Sequence, residues 1–145
     1  MVKRSFSTSW KRSIQVRKQR KYRYNAPLHI KQKLAHVHLS SELRGKYGLR
    51  NIQIRKNDTV RVLRGKFKKK EGKIEHVNLK REKVQITGLD YIKKDGTKVL
   101  ATFAPSNLMI LTLDLSDKKR KMKLKKHEDQ KVELKATKTG VEAKK

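Results

Sequence analysis

No acidic residue precedes Glu42, and the first 56 residues carry 16 Lys/Arg against that single acid. Residues 57–115 hold 13 against seven, and residues 116–145 hold 12 against five. A stretch so dominated by one sign of charge repels itself when compact, and it has too little apolar surface to offset its chain entropy. With 34% apolar residues and a net charge of +28 over 145 residues, the chain supports one small core and no more. The middle segment, close to ordinary in charge and rich in Val, Ile and Leu, is the part equipped to fold. We therefore expect a basic N-terminal extension with two short helices over 1–56, a folded domain over 57–115, and a basic C-terminal tail over 116–145.

The middle segment reads as strands. In Thr59–Leu63 (TVRVL), Val60 and Val62 share one face and Arg61 takes the other. Lys73–Val77, Lys83–Gly88, Lys98–Ala104 and Asn107–Leu113 are similar short runs. Asp95-Gly96 supplies tight-hairpin chemistry, and Pro105 marks a later turn. Five strands without helical period between them predict a mostly β fold, a small antiparallel barrel. Nothing indicates a dinucleotide fold.

The extension is less uniform. Tyr24–Ala35 predicts a helix with Asn25 as cap, Pro27 in the first turn, and Ile30 and Leu34 on one face. Ser40–Gly48 predicts a second, capped by Ser40 and stopped by Gly48, with Gly45 an unfavourable interior residue. Residues 1–23 lack apolar period and are expected to be extended. The tail over Ser116–Lys135 has helical composition but too few apolar residues to dock firmly.

A charge of +28 selects polyanionic partners. No apolar run reaches the roughly 18 residues of a spanning helix, so the chain is not expected to be integral to a membrane. An anionic membrane surface is the rival to nucleic acid, and the expected partners include no membrane. The lack of cysteine excludes disulfides and thiolate zinc sites, and fits a soluble intracellular protein. The stretch Val60–Val77, VRVLRGKFKKKEGKIEHV, concentrates lysines between Gly65 and Gly72, with strands on both sides. Charges rooted in strands are positioned, and lysines that neutralise phosphates release counterions. The interleaved aromatics and cations of STSWKR (Ser7–Arg12) and RKQRKYRYN (Arg17–Asn25) suit stacking on unpaired bases with phosphates clamped alongside. With no recognition helix, zinc finger or basic zipper, RNA is favoured over duplex DNA.

The segment NDTVRVLRGKFKKKEGKIEHV resembles a KOW motif, a loop with two strands. Its flanks YNAPLHIKQKL, LSSELRGKYGLRNIQIRKND, DGT and PSNLMILTLDL follow in the order seen in one family. That family comprises the archaeal and eukaryotic large-subunit ribosomal proteins related to bacterial ribosomal protein L twenty-four. The likeness covers residues 17–120. It implies an SH3-like barrel bound to large-subunit ribosomal RNA near its 5′ region, acting early in assembly, beside the peptide tunnel exit, in the cytoplasm. Gly65 and Gly72 match the motif glycines, and Val60, Val62 and Ile74 its core positions. Arg64, Lys66, Lys68, Lys70 and Lys73 fall where basic residues face RNA. Asn25–Pro27 match the start of the first helix, and Pro105, Ser106 and Asn107 the late turn. Two positions depart. The family usually has glycine where this chain has Lys69; a positive φ there would cost about 1–2 kcal/mol. A histidine commonly stands at Ala104, so any RNA contact made by that histidine is missing here.

The expected RNA-contacting set therefore joins the loop, with Lys69, to the extension. The extension supplies Trp10, Lys11, Arg12, Arg17, Lys18, Arg20, Lys21, Tyr22, Arg23, Tyr24, His29, Lys31, Lys33 and Arg44, and the late turn Ser106 and Asn107. Trp10, Tyr22 and Tyr24 are stacking candidates; packing against the barrel is their ordinary alternative. His29, His36, His38, His76 and His127 read as polar contacts, since nothing completes a metal site around His36-x-His38. Glu71 and Glu75 sit among lysines and read as ion-pairing, not catalytic, carboxylates. No catalysis, cofactor or homo-oligomer is expected; the partners are ribosomal RNA and neighbouring ribosomal proteins. The acid-free start resembles a transit peptide, but its lysine content and lack of amphipathic period favour an arm. The rival functions are a KOW-domain transcription elongation factor and a general basic nucleic-acid-binding protein.

Overall fold

The computed structural model describes residues 6–7 and 13–142, with side chains as far as Lys131. Seven strands form one sheet: β1 (His36–Leu39), β2 (Asn51–Gln53), β3 (Thr59–Val62), β4 (Glu71–Asn78), β5 (Lys83–Ile92), β6 (Lys98–Phe103) and β7 (Leu108–Thr112). Their order across the sheet is β2-β1-β7-β3-β4-β5-β6. Helices α1 (Val16–Asn25), α2 (Leu28–Leu34), α3 (Ser41–Tyr47) and α4 (Lys118–Glu142) and a 3₁₀ turn, Pro105–Asn107, complete the described elements.

All five strands expected between 57 and 115 are present, and the domain is mostly β, as a KOW or SH3-like fold requires. Two features differ from an antiparallel barrel. Strand β1 runs parallel to β7, through His38 opposite Met109 and Leu39 opposite Ile110. The ladder also leaves β2 and β6 as its two ends and does not close. Both follow from residues 36–53, which the charge distribution assigned to the extension. In HVHL, Val37 and Leu39 are buried and alternate with the histidines, a strand signal hidden between two helical stretches.

The core lies on the inner face. Val60, Val62, Ile74, Val84, Ile86, Ala101, Leu108 and Ile110 are each 1% exposed or less. Burying each large aliphatic side chain contributes about 1.5–3 kcal/mol. Gly72 is required by this packing rather than by a turn. A Cβ there would lie 2.6 Å from Ile86 Cγ2 and 2.9 Å from the Thr87 carbonyl.

The helices follow local chemistry, with two corrections. Residues 16–25 are helical and not extended, because Arg, Lys and Gln favour helix without any apolar stripe. Asn25 ends α1 instead of capping α2. The break falls at Ala26 (φ −57°, ψ 132°), where Pro27 excludes helical geometry from the residue before it. Helix α3 behaves as expected: Ser40 Oγ accepts from the Leu43 amide at 3.4 Å, and Gly48 stops the helix at φ 67°.

The C-terminal helix is docked, contrary to expectation. Leu124 is 1% exposed and lies with Tyr47 and Leu115 in one cleft. Arg120, 5% exposed, reaches Asp58, which is fully buried. Its Nη1 donates to Asp58 Oδ1 at 2.6 Å and its Nη2 to Oδ2 at 2.8 Å. Asp58 also accepts from the amides of Arg55 (2.9 Å) and Asp114 (3.0 Å), so the buried carboxylate is matched on both oxygens. Arg55 and Asp117 form a second ion pair at the start of α4.

Candidate nucleic-acid interface

The lysine loop, Leu63–Lys70, is a fixed structure. Two backbone bonds close its ends: Val62 N–H donates to the Lys70 carbonyl (2.9 Å) and Lys69 N–H to the Val62 carbonyl (2.8 Å). Within it, Lys68 N–H donates to the Gly65 carbonyl (3.0 Å) and Lys70 N–H to the Phe67 carbonyl (3.1 Å). Gly65 has φ 94°. Lys69 has φ 69°, a left-handed geometry that a residue with a Cβ adopts only with strain, so its presence here costs about 1–2 kcal/mol.

Phe67 holds the loop down. It is 7% exposed and meets Tyr91 edge-on at 5.0 Å and Phe103 at 5.7 Å. Sequence reasoning missed it, although a single aromatic inside RGKFKKK is the signal of an apolar anchor under a polar loop. With Phe67 inward, Arg64, Lys66, Lys68, Lys69 and Lys70 are all exposed to solvent. The Lys66 ammonium sits 5.9 Å from the Tyr91 ring and that of Lys70 5.5 Å from Phe67, so aromatic faces help place the charges.

The late turn belongs to the same patch. Leu63 N–H donates to the Asn107 carbonyl at 2.8 Å, joining the loop base to the 3₁₀ turn with Ser106 exposed and Asn107 half-buried. Lys73 is exposed on β4. Glu71 pairs with Arg61 across β3 and β4, at 2.7 Å from its Nε.

In the extension, α1 presents Arg17, Lys18, Arg20, Lys21, Arg23 and Tyr24 to solvent, and Tyr22 packs on Phe6 at 4.9 Å. His29 and Lys33 are exposed on α2. Lys31 turns inward: it is 7% exposed and its ammonium donates to the Lys80 carbonyl at 3.1 Å. Arg44 Nε donates to the Leu39 carbonyl at 2.8 Å. Trp10, Lys11 and Arg12 lie outside the described residues.

Among the described residues three carboxylates are perturbed, and all lie outside the loop. Asp95, at the β5–β6 hairpin with Gly96 at φ 80°, is held below its usual range by hydrogen bonds from Thr97. Asp114 is lowered first by the Ser116 hydroxyl, and Asp117 first by its hydrogen bond from Arg55. Each is therefore a stable anion in neutral solution.

A family model that describes ribosomal proteins L26 of eukaryotes and their archaeal L24 counterparts matches residues 13–127. The chain belongs to that family. It is 47% identical to large ribosomal subunit protein uL24 of Methanospirillum hungatei over 112 residues, 77% of this chain and 93% of the relative. The uL24 of Methanothrix thermoacetophila is likewise 47% identical, over 74% of this chain and 93% of its own. That of Nanoarchaeum equitans reaches 47% over 130 residues, covering 90% and 88%. The matched span of this ribosomal family contains the extension from Ser13, the whole sheet and the first part of α4.

Proposed function

We propose that this chain is a structural constituent of the large ribosomal subunit that grips large-subunit ribosomal RNA with its lysine loop. In this reading it binds near the 5′ region of that RNA, acts early in subunit assembly, and lies by the peptide tunnel exit. The supporting observation is the loop itself: five cations face outward on a backbone closed by hydrogen bonds and plugged by Phe67. A preset array neutralises phosphates without ordering the loop on binding, and phosphate contacts position a protein without reading sequence. The cations and tyrosines of α1 extend the same chemistry, with stacking on unpaired bases added. No step in this function calls for a catalytic group. Ribosomal RNA and adjacent ribosomal proteins are the partners, and the protein acts as a single copy.

The test replaces Lys66, Lys68, Lys69 and Lys70 together with alanine. Affinity for large-subunit RNA should fall, and the slope of log K against log salt should become shallower by about 3, at roughly 0.7–0.9 for each phosphate no longer neutralised. Thermal unfolding should remain cooperative. Unaltered salt dependence would refute the reading.

A further inference from the structure

We infer that the outward face of β4 and β5 forms a second RNA site, a cleft that receives one unpaired nucleotide. It rests on the RNA-binding reading above but uses none of the loop lysines. The cleft has a volume of about 290 Å³ and is lined by His76, Asn78, Arg81, Lys83, Gln85 and Thr102.

Strand register assembles it. His76 stands opposite Gln85 and Gln85 opposite Thr102, so one row crosses three strands; Asn78 opposite Lys83 forms the next. Residues directly opposite share a face. The placement of His76 depends on a bulge. Ile74, buried, pairs with Ile86, and strict alternation would send His76 to the same inner face. The register shifts between Ile74 and His76, leaving Glu75 as the extra residue and turning His76 outward.

The rim is held rigidly. Asn78 Oδ1 accepts from the Arg81 amide at 3.0 Å, and Glu82 takes φ 52° to bring the chain back into β5. The buried ammonium of Lys31 then fastens the Lys80 carbonyl from α2. A cation kept from solvent to brace a turn means that the turn's geometry is specified.

The lining chemistry selects the ligand. Arg81 and Lys83 supply charge for a phosphate. Gln85 and Asn78 each carry amide donors and an acceptor, as a base edge requires, and His76 offers a ring for stacking. No lining residue is acidic, which disfavours a metal cation, and none is a large apolar side chain, which disfavours a lipid tail or apolar peptide. A cleft of about 290 Å³ suits a single splayed base, and specific RNA recognition targets such unpaired bases.

The experiment uses the full chain with large-subunit RNA substituted with 4-thiouridine, reading photocrosslinked peptides and the salt dependence of binding. Crosslinks are expected within His76–Gln85. Arg81→Ala with Lys83→Ala should flatten the salt slope by about 1.5. Gln85→Ala should weaken binding about tenfold at every salt concentration with the slope unchanged. If both variants bind and crosslink like the parent while the four-lysine loop variant is weakened, the cleft is refuted and the RNA reading stands. If the parent chain shows no preference for the RNA, both fall.

Discussion

Helices α1 and α4 are both lysine- and arginine-rich, and composition alone treats them as equivalent arms. Their packing differs sharply. Helix α1 buries none of its residues, whereas α4 buries Arg120 and Leu124. The difference originates in the sheet. Asp58 is fully buried, and an uncompensated buried carboxylate is strongly unfavourable. The tail carries the guanidinium that matches it, in the two-pronged geometry lysine cannot provide. Docking of this basic segment thus rests on two buried contacts, Arg120 on Asp58 and Leu124 in the core, and not on its average polarity.

The largest way to break that contrast is Asp58→Ala. It leaves Arg120 buried without a counter-charge and should destabilise the protein by about 3–5 kcal/mol in denaturant unfolding, with α4 released. Should α4 amides stay protected from hydrogen exchange, the ion pair is not what holds the helix. Leu124→Ala tests the apolar half of the same dock. A loss of about 2–4 kcal/mol is expected, and an effect under roughly 1 kcal/mol would mean that the cleft collapses around the gap.

Acid should act on α4 and not on α1. The hydrogen bond from Arg55 holds the Asp117 carboxyl below its usual range, so it contributes stability above its unfolded pKa and loses that contribution as pH falls through the lower, folded one. Protection from hydrogen exchange at the start of α4 should therefore fall as the pH drops below the ordinary aspartate range, more in the parent than in Asp117→Asn, with α1 unaffected. The smallest effect on folding should come from α1 itself. Arg20→Ala with Lys21→Ala should change stability by less than about 0.5 kcal/mol. The same pair should reduce the RNA salt slope, and a large stability change would show α1 to be docked after all.

Legibility in the sequence followed the range of the interactions. The strands of 57–115 were readable because Val60 and Val62, or Leu108 and Ile110, alternate locally. The Ser40 cap, the Gly48 stop and the Asp95-Gly96 hairpin are equally local. Pairing of β1 with β7 was not readable, since nothing in HVHL names a partner so far along the chain. Arg120 was lost among neighbouring lysines for the same reason: its identity as an anchor depends on Asp58, far away in the sequence. The loop cations were visible as charge, while Phe67, which makes them an array, required the fold. Gly72 was noticed, but only packing reveals that Ile86 and the Thr87 carbonyl exclude any side chain there.

The parallel seam between β1 and β7 governs when the molecule can be finished. A polypeptide made from its amino end displays β1 and β2 early, yet two strands alone are only marginally stable in water. Their third neighbour appears only once residues 108–112 have been synthesised, and the bond between Asp58 and Arg120 closes later still. Until then the inner faces of Val37 and Leu39 have no sheet to cover, and a growing chain of this kind needs either speed or a surface to lean on.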